Sequence, residues 1–305
     1  MSQLLKLVHA IFILGTLHLI SAAPTREKAR NINKRSLNVG HCSPAQKQTI
    51  TDGLTDVKSA AKSTTDRLQR LLHLLQSNTP RTGIVAEDRS TLQTFETIFG
   101  TVLHDSSDSG ASMKNTIGKA RVATIKARAE KVTSTLGSSA EPQLFYYCSE
   151  EFFEETCDGI WDQRPAHEGG QRYVDVSPTC AQDSRLNGYT WNVNGGNQDY
   201  TVLCPGKWAS WSNNRLLSIQ DRSLLGTSLD DISKRYVALT MMHELLHSDG
   251  IFKNNVAEDE TAPGGIKAFK WEGIRALATS VRAGNAPRNA ESVAYFMIGK
   301  VDVPK

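Results

Sequence analysis

Three residues in this chain can do chemistry together: His243, Glu244 and His247, in the run Met242-His-Glu-Leu-Leu-His247. On a helix, residues four apart share a face about one turn apart, so both imidazoles can reach one ion. Zn²⁺ takes histidine nitrogens at about 2.0–2.1 Å. Glu244 follows the first histidine and can act as general base toward a metal-activated water. The pattern predicts metal-assisted hydrolysis, with His243 and His247 as ligands, Glu244 as base and one zinc ion per chain. Catalytic zinc takes three protein ligands and keeps one position open. The acidic run Glu258-Asp259-Glu260, eleven to thirteen residues past His247, offers the third ligand. Asp259 is the expected ligand and Glu258 its alternative. Asp249 follows His247 too closely to complete the tripod, and a capping or orienting role is expected for it.

A helix must present the motif. Ile232, Tyr236, Leu239, Met242 and Leu246 recur at helical spacing. Ser228, Asp230 and Asp231 are N-cap candidates, and Gly250 lies where such a helix would stop. Upstream, Pro44–Ser77 reads as a long amphipathic helix with Ile50, Leu54, Val57, Ala61, Leu68, Leu71, Leu72 and Leu75 on its apolar face. Ser90–His104 reads as a second helix. Ser112–Leu136, rich in Ala, Lys and Arg, reads as a third, solvated one. His73 and His104 are read as packing or surface histidines, not ligands.

From Glu141 the pattern changes. Leu144–Cys148, Arg172–Val176, Tyr189–Val193 and Tyr200–Cys204 are short, aromatic and β-branched, with turn residues such as Asn194-Gly-Gly-Asn197 between them. They read as strands of a small antiparallel sheet. Helices return with the motif segment, Ile266–Arg282 and Asn289–Ile298. Helices, then strands, then helices predict an α+β fold. An edge strand beside the metal helix could hold an extended peptide by backbone hydrogen bonds.

The first 23 residues have a lysine, a short apolar run and a small-residue end, Ser21-Ala-Ala23, as a secretory signal peptide does. Residues 24–35 are basic and end in Lys34-Arg35, a dibasic processing site, so they read as a propeptide. Residues 36–305 are then one metallopeptidase-like domain, with a helical part at 36–140 and the sheet and zinc-site helices at 141–305. The whole chain carries +3, but residues 36–305 hold 29 basic against 31 acidic residues. That balance gives no basis for binding nucleic acid or an anionic membrane. The expected partners are protein or peptide substrates; the sequence specifies no oligomeric state. The five cysteines, Cys42, Cys148, Cys157, Cys180 and Cys204, are expected as disulfides in an exported chain, with one left over. No Asn-x-Ser/Thr site follows the leader.

Four pieces together resemble the fungal aspzincin zinc metalloendopeptidases, the deuterolysin and peptidyl-lysine metalloendopeptidase family. They are Cys42-Ser-Pro-Ala-Gln-Lys-Gln48, Val202-Leu-Cys-Pro-Gly-Lys-Trp208, His243-Glu-Leu-Leu-His247 and Asn289-Ala-Glu-Ser-Val-Ala-Tyr-Phe296. The resemblance implies a zincin-like fold, zinc, peptide-bond cleavage, and disulfides Cys42–Cys148 and Cys157–Cys204. It also marks a departure. The family's Gly-Thr-x-Asp-x-x-Tyr-Gly stretch, which supplies an aspartate ligand and a transition-state tyrosine, is matched here by Gly265-Ile-Lys-Ala-Phe-Lys-Trp271, with Ala268 for the aspartate and Trp271 for the tyrosine. Trp has no hydroxyl to donate. An inactive binding or effector protein on the same fold is therefore the alternative expectation.

Overall fold

In the computed structural model, the described residues are 37–77, 79–103, 111–138, 143–176, 179–192, 198–211, 215–216 and 228–299. The leader and propeptide readings, His104 and the Asn194–Asn197 turn lie outside them.

The chain opens with strand β1 (Leu37–Gly40) and helix α1 (Pro44–Gln76). Ser43 and Gln46 form a reciprocal capping box at the start of α1, with Pro44 at its first position. The stripe from Ile50 to Leu75 is buried, and α1 lies along α3 (Ala111–Thr135) and against the motif helix. Gly53 permits that approach: a Cβ there would come within 2.7 Å of Met241 Sδ and 2.8 Å of Val237 Cγ1. Helix α3 is less solvated than its composition suggests. Val122, Ile125, Ala129 and Val132 are fully buried; the charged residues around them mask a narrow stripe at helical spacing. Helix α2 (Ala86–Phe99) adds Phe95 and Phe99, which meet Phe296 edge-on at 5.3 and 5.4 Å.

Two sheets follow. One has the order β1-β2-β7-β6, built from β1, β2 (Gln143–Tyr147), β6 (Gly188–Asn192) and β7 (Gln198–Leu203). The other is β3 (Phe153–Thr156), β4 (Gly159–Asp162) and β5 (Arg172–Val174). The expected single antiparallel sheet is corrected. The first sheet is mixed, because β1 pairs β2 and β2 pairs β7 in parallel, and only β6–β7 is antiparallel. Parallel neighbours need a long crossover, and the helices α1 to α3 supply one between β1 and β2. Strand alternation alone does not reveal that direction. Arg172–Val174 belongs to the separate, fully antiparallel sheet. The α+β class stands.

Cys42 and Cys148 are joined, tying the start of α1 to the end of β2. The second pairing is corrected: Cys180 joins Cys204, and Cys157 is free and exposed. Cys157 lies at the outer turn between β3 and β4. Cys180 begins a short turn of helix (α4, Thr179–Gln182) whose amides bond the Glu150 carboxylate, which holds it over the end of β7. Two disulfides fit an oxidising compartment. No helix among the described residues is long and apolar enough to cross a membrane.

The C-terminal part carries α5 (Leu229–Arg235), α6 (Val237–Leu246), α7 (Asp249–Phe252), α8 (Lys270–Ala278) and α9 (Ala290–Ile298). The expected helix over 266–282 starts only at Lys270. Before it, Thr261 and Lys267 pair across a turn in which Gly264 and Gly265 have φ of 87° and 80°, a conformation that glycine adopts without strain. Helix α9 is mostly apolar, and every residue in it except Glu291 is buried. It packs on α6 and the α2 aromatics, so one core runs from Ile50 to Ile298.

Candidate metal centre

The segment read as one helix is two. Ser228 caps α5 by accepting from the Asp231 amide, as read from sequence. Tyr236 then takes an extended conformation (φ −125°, ψ 120°), and α6 starts afresh. His243 and Glu244 lie in the last turn of α6, and His247 is its C-cap. The helix stops there and not at Gly250, because Ser248 turns the chain and caps α7 by accepting from the Ile251 amide at 3.0 Å. Asp249 opens α7 and is no ligand.

The ligand atoms of His243, His247 and Asp259 all lie within 4.8 Å of one another. His243 Nδ1 is 2.8 Å from Glu291 Oε2, and His247 Nδ1 is 2.8 Å from the Ala257 carbonyl. These acceptors assign a proton to each Nδ1. Both Nε2 atoms then face inward as bare lone pairs, 3.1 Å apart. Asp259 Oδ1 sits 3.4 Å from His243 Nε2 and 3.3 Å from His247 Nε2. It is buried and makes no hydrogen bond of good geometry. Two lone pairs and a carboxylate oxygen crowded together repel unless a cation lies among them. The donor set therefore fits a metal ion. When no ion is bound, a proton can take that place, and metal binding would displace it. Burial alone would lower the pKa of His243, yet the Asp259 and Glu291 carboxylates hold it well above the ordinary value. Burial would likewise raise Asp259, yet the two histidines hold its carboxyl below the usual range.

Backbone pairing selects Asp259 from the three acids. The Glu258 amide donates to the Arg288 carbonyl, and its own carbonyl accepts from Ala290. The Glu260 amide donates to Asn289 Oδ1, and the Glu260 carbonyl accepts from Ala268. In an extended segment alternate side chains face opposite ways. Glu258 pairs with Arg288 and Glu260 accepts from Asn285 Nδ2 at 3.1 Å. Asp259 alone turns to the histidines.

Glu244 is 4% exposed, and burial raises its carboxyl pKa while the two histidines oppose that rise. The Thr190 hydroxyl on edge strand β6 also lowers it. Thr190 Oγ1 is 2.9 Å from Thr201 Oγ1 on β7, and Thr201 is in register with Tyr146 on β2. A row of hydroxyl-bearing residues thus crosses the sheet beneath the motif. Beside it Asp199 accepts from Ser248 Oγ at 2.5 Å, the Gly250 amide at 3.1 Å and Asn192 Nδ2 at 3.1 Å. That carboxylate clamps the turn following His247 to the sheet.

Ala268 and Trp271 have structural places. Ala268 is fully buried, and its carbonyl accepts from Asn289 Nδ2 at 3.0 Å. The Trp271 amide donates to Asp230 Oδ1, which also accepts from the Tyr295 hydroxyl. His73 is exposed and far along α1. Sequence reasoning missed Glu291, Thr190 and Asp199 as supports. Glu291 lies in the Asn289-Ala-Glu stretch singled out above, which was the one available signal. Thr190 and Asp199 sit on strands whose pairing the sequence does not state. Compared with models of known protein families and with curated proteins, the chain matches none.

Proposed function

We propose that the protein is a secreted zinc-dependent endopeptidase. The observation that carries this reading is the convergence of the His243, His247 and Asp259 ligand atoms within 4.8 Å, with buried Glu244 beside them. Two histidines and one carboxylate are a donor set that suits a hydrolytic zinc site; the H-E-x-x-H pattern and the aspzincin resemblance favour zinc and peptides in particular. When bound, zinc supplies Lewis acidity to a water and to the substrate carbonyl. Glu244 takes the proton from the attacking water and returns it to the leaving amine. Thr190 orients the Glu244 carboxylate, Glu291 and the Ala257 carbonyl hold the imidazoles, and Asp199 fixes the turn after His247. Strand β6 is a sheet edge beside α6, so an extended peptide can add to it and lay its backbone along the site.

The test is casein digestion by the processed protein, with and without a chelator, alongside metal analysis. Chelator-sensitive cleavage with about one zinc per chain is expected, and Glu244→Gln is expected to keep zinc and lose cleavage. Zinc-free protein that takes up none on reconstitution would remove the reading. Trp271, where the resemblance implies a tyrosine, favours a second one: a zinc-holding effector that cleaves nothing. Full zinc content without hydrolysis would select it.

A further inference from the structure

The segment after the glycine turn is built into the metal centre. Lys267 Nζ donates to the Asp259 carbonyl at 2.8 Å. The Phe269 ring lies beside that of His243, 6.2 Å between centroids and 61° between planes. Between them Ala268 points into the core and is fully buried. This is the alternation of an extended strand: 267 reaches the Asp259 backbone, 269 lies against His243, and 268 anchors. The backbone is held as well. Asn289 Nδ2 grips the Ala268 carbonyl. Lys270 adopts φ 58°, rare for a side chain of that kind, and its amide reaches Glu291 Oε1 at 3.3 Å. The other Glu291 oxygen is the one that holds His243. Strained backbone bonded to a ligand's support is a feature of functional sites. Phe269 nevertheless stays 41% exposed. A single exposed apolar residue is ordinary on a surface; one anchored on both sides against a metal ligand is a wall.

From this geometry we infer a specificity subsite: Phe269 is the apolar wall for the substrate side chain beside the scissile bond, and Lys267 bounds it with positive charge. The substrate class is then a peptide with a large apolar or aromatic residue at that position, with lysine and arginine disfavoured. This rests on the endopeptidase reading, and the experiment separates the two.

Matched peptides carrying Phe, Leu, Ala or Lys on either side of one cleavable bond are assayed with parent, Phe269→Leu and Phe269→Ala proteins. The same peptides are titrated by calorimetry into zinc-loaded Glu244→Gln protein, with and without Phe269→Ala. At one flanking position the parent is expected to favour Phe over Ala by about tenfold in kcat/KM, mostly through KM, with Lys below Ala. Phe269→Leu should keep that order and Phe269→Ala should flatten it, with zinc content unchanged in both. Calorimetry should show the same tenfold ratio in Kd and its loss with Phe269→Ala. Binding that discriminates while no peptide is cleaved supports the subsite and removes the endopeptidase reading. A parent that prefers Lys, a preference unmoved in Phe269→Ala, or neither cleavage nor discrimination overturns the subsite.

Discussion

Two buried charged clusters of this molecule end in opposite ways. Behind the mixed sheet, Arg164 and Asp162 are both fully buried, and Arg164 donates to both Asp162 oxygens: Nε to Oδ1 at 2.9 Å and to Oδ2 at 3.1 Å, a terminal nitrogen to Oδ2 at 2.5 Å, and its amide to Oδ1 at 3.1 Å. The guanidinium lies among Tyr147, Phe152, Trp191 and Tyr200, at 4.4 to 5.5 Å from their ring centres. Gly170 closes the cluster, since a Cβ there would meet the Arg164 carbonyl at 2.1 Å. The charges cancel, and aromatic faces cover the guanidinium, including Nη1, which has no hydrogen-bond partner. On the opposite face of that sheet, past Thr190 and Thr201, His243, His247 and Asp259 remain partly open, at 13%, 20% and 33% side-chain exposure. Their inward atoms converge on one point without a closed set of hydrogen bonds. Burial of charge alone thus does not mark a site. A completed pair is architecture, whereas converging donors with nothing to receive them call for a ligand.

Asp162→Ala leaves Arg164 buried and uncompensated, and is expected to cost about 3–5 kcal/mol of folding stability while zinc per chain is unchanged in the folded fraction. Denaturant unfolding measures the first and metal analysis the second. A loss below about 1 kcal/mol would mean that the pair is not the closed structural unit described.

The metal centre should respond in the reverse sense. Zinc at a hundredfold excess over its Kd is expected to raise stability by about 2.7 kcal/mol, read as a thermal shift that a chelator reverses. Asp259→Asn should remove most of that shift, since it replaces an anionic ligand by a neutral one. Glu258→Gln should leave it, because Glu258 faces Arg288. Exchange of these two results would assign the third ligand to Glu258.

Asp199 is a smaller probe, lying between the clusters. Asp199→Ala strands buried donors of Ser248 and Gly250, at about 1–3 kcal/mol, and should weaken zinc by loosening the turn after His247. Burial raises the Asp199 carboxyl above its ordinary 3.8, against the lowering by its hydrogen bonds to Ser248, Asn192 and Gly250. A raised folded pKa gives a stability contribution that is full below the unfolded value and is lost as pH rises through the folded one. Asp199→Asn should abolish that slope, as pH-dependent unfolding would reveal.

The smallest effect lies at the surface. The Arg185 side chain and amide hold the Asp183 carboxyl down at about 2, so its contribution is present above 3.8 and is lost as pH falls through about 2. Arg185→Ala should return the Asp183 titration toward the ordinary carboxylate range by NMR. Unfolding at neutral pH should barely move, because exposed pairs are screened. A large stability loss there would blur the contrast between closed and open charge clusters.

What could be read without coordinates was local. His243, Glu244 and His247 are legible because one helical turn sets their relation, and Ser228 as a cap because capping acts within three residues. The apolar faces of α1 and α2 follow from periodicity, and the α+β class from the order of segments. Tertiary structure decided the remainder. Parallel pairing of β2 with β1 and β7, the Cys180–Cys204 bond and the clamp by Asp199 all join residues whose separation carries no pattern. The reason that Asp259, the acid expected from sequence, and not Glu258 meets the histidines is the clearest case. Three consecutive acids are chemically near-equal in sequence. Pairing of Glu258 and Glu260 with the 285–290 segment sets which way each side chain faces, and so leaves Asp259 turned toward the histidines. Sequence supplied the two imidazoles and the base, because a helix needs only its own residues to align them. The third donor, the supports at Glu291 and Thr190, and the wall at Phe269 came from segments that only the packed core brings together.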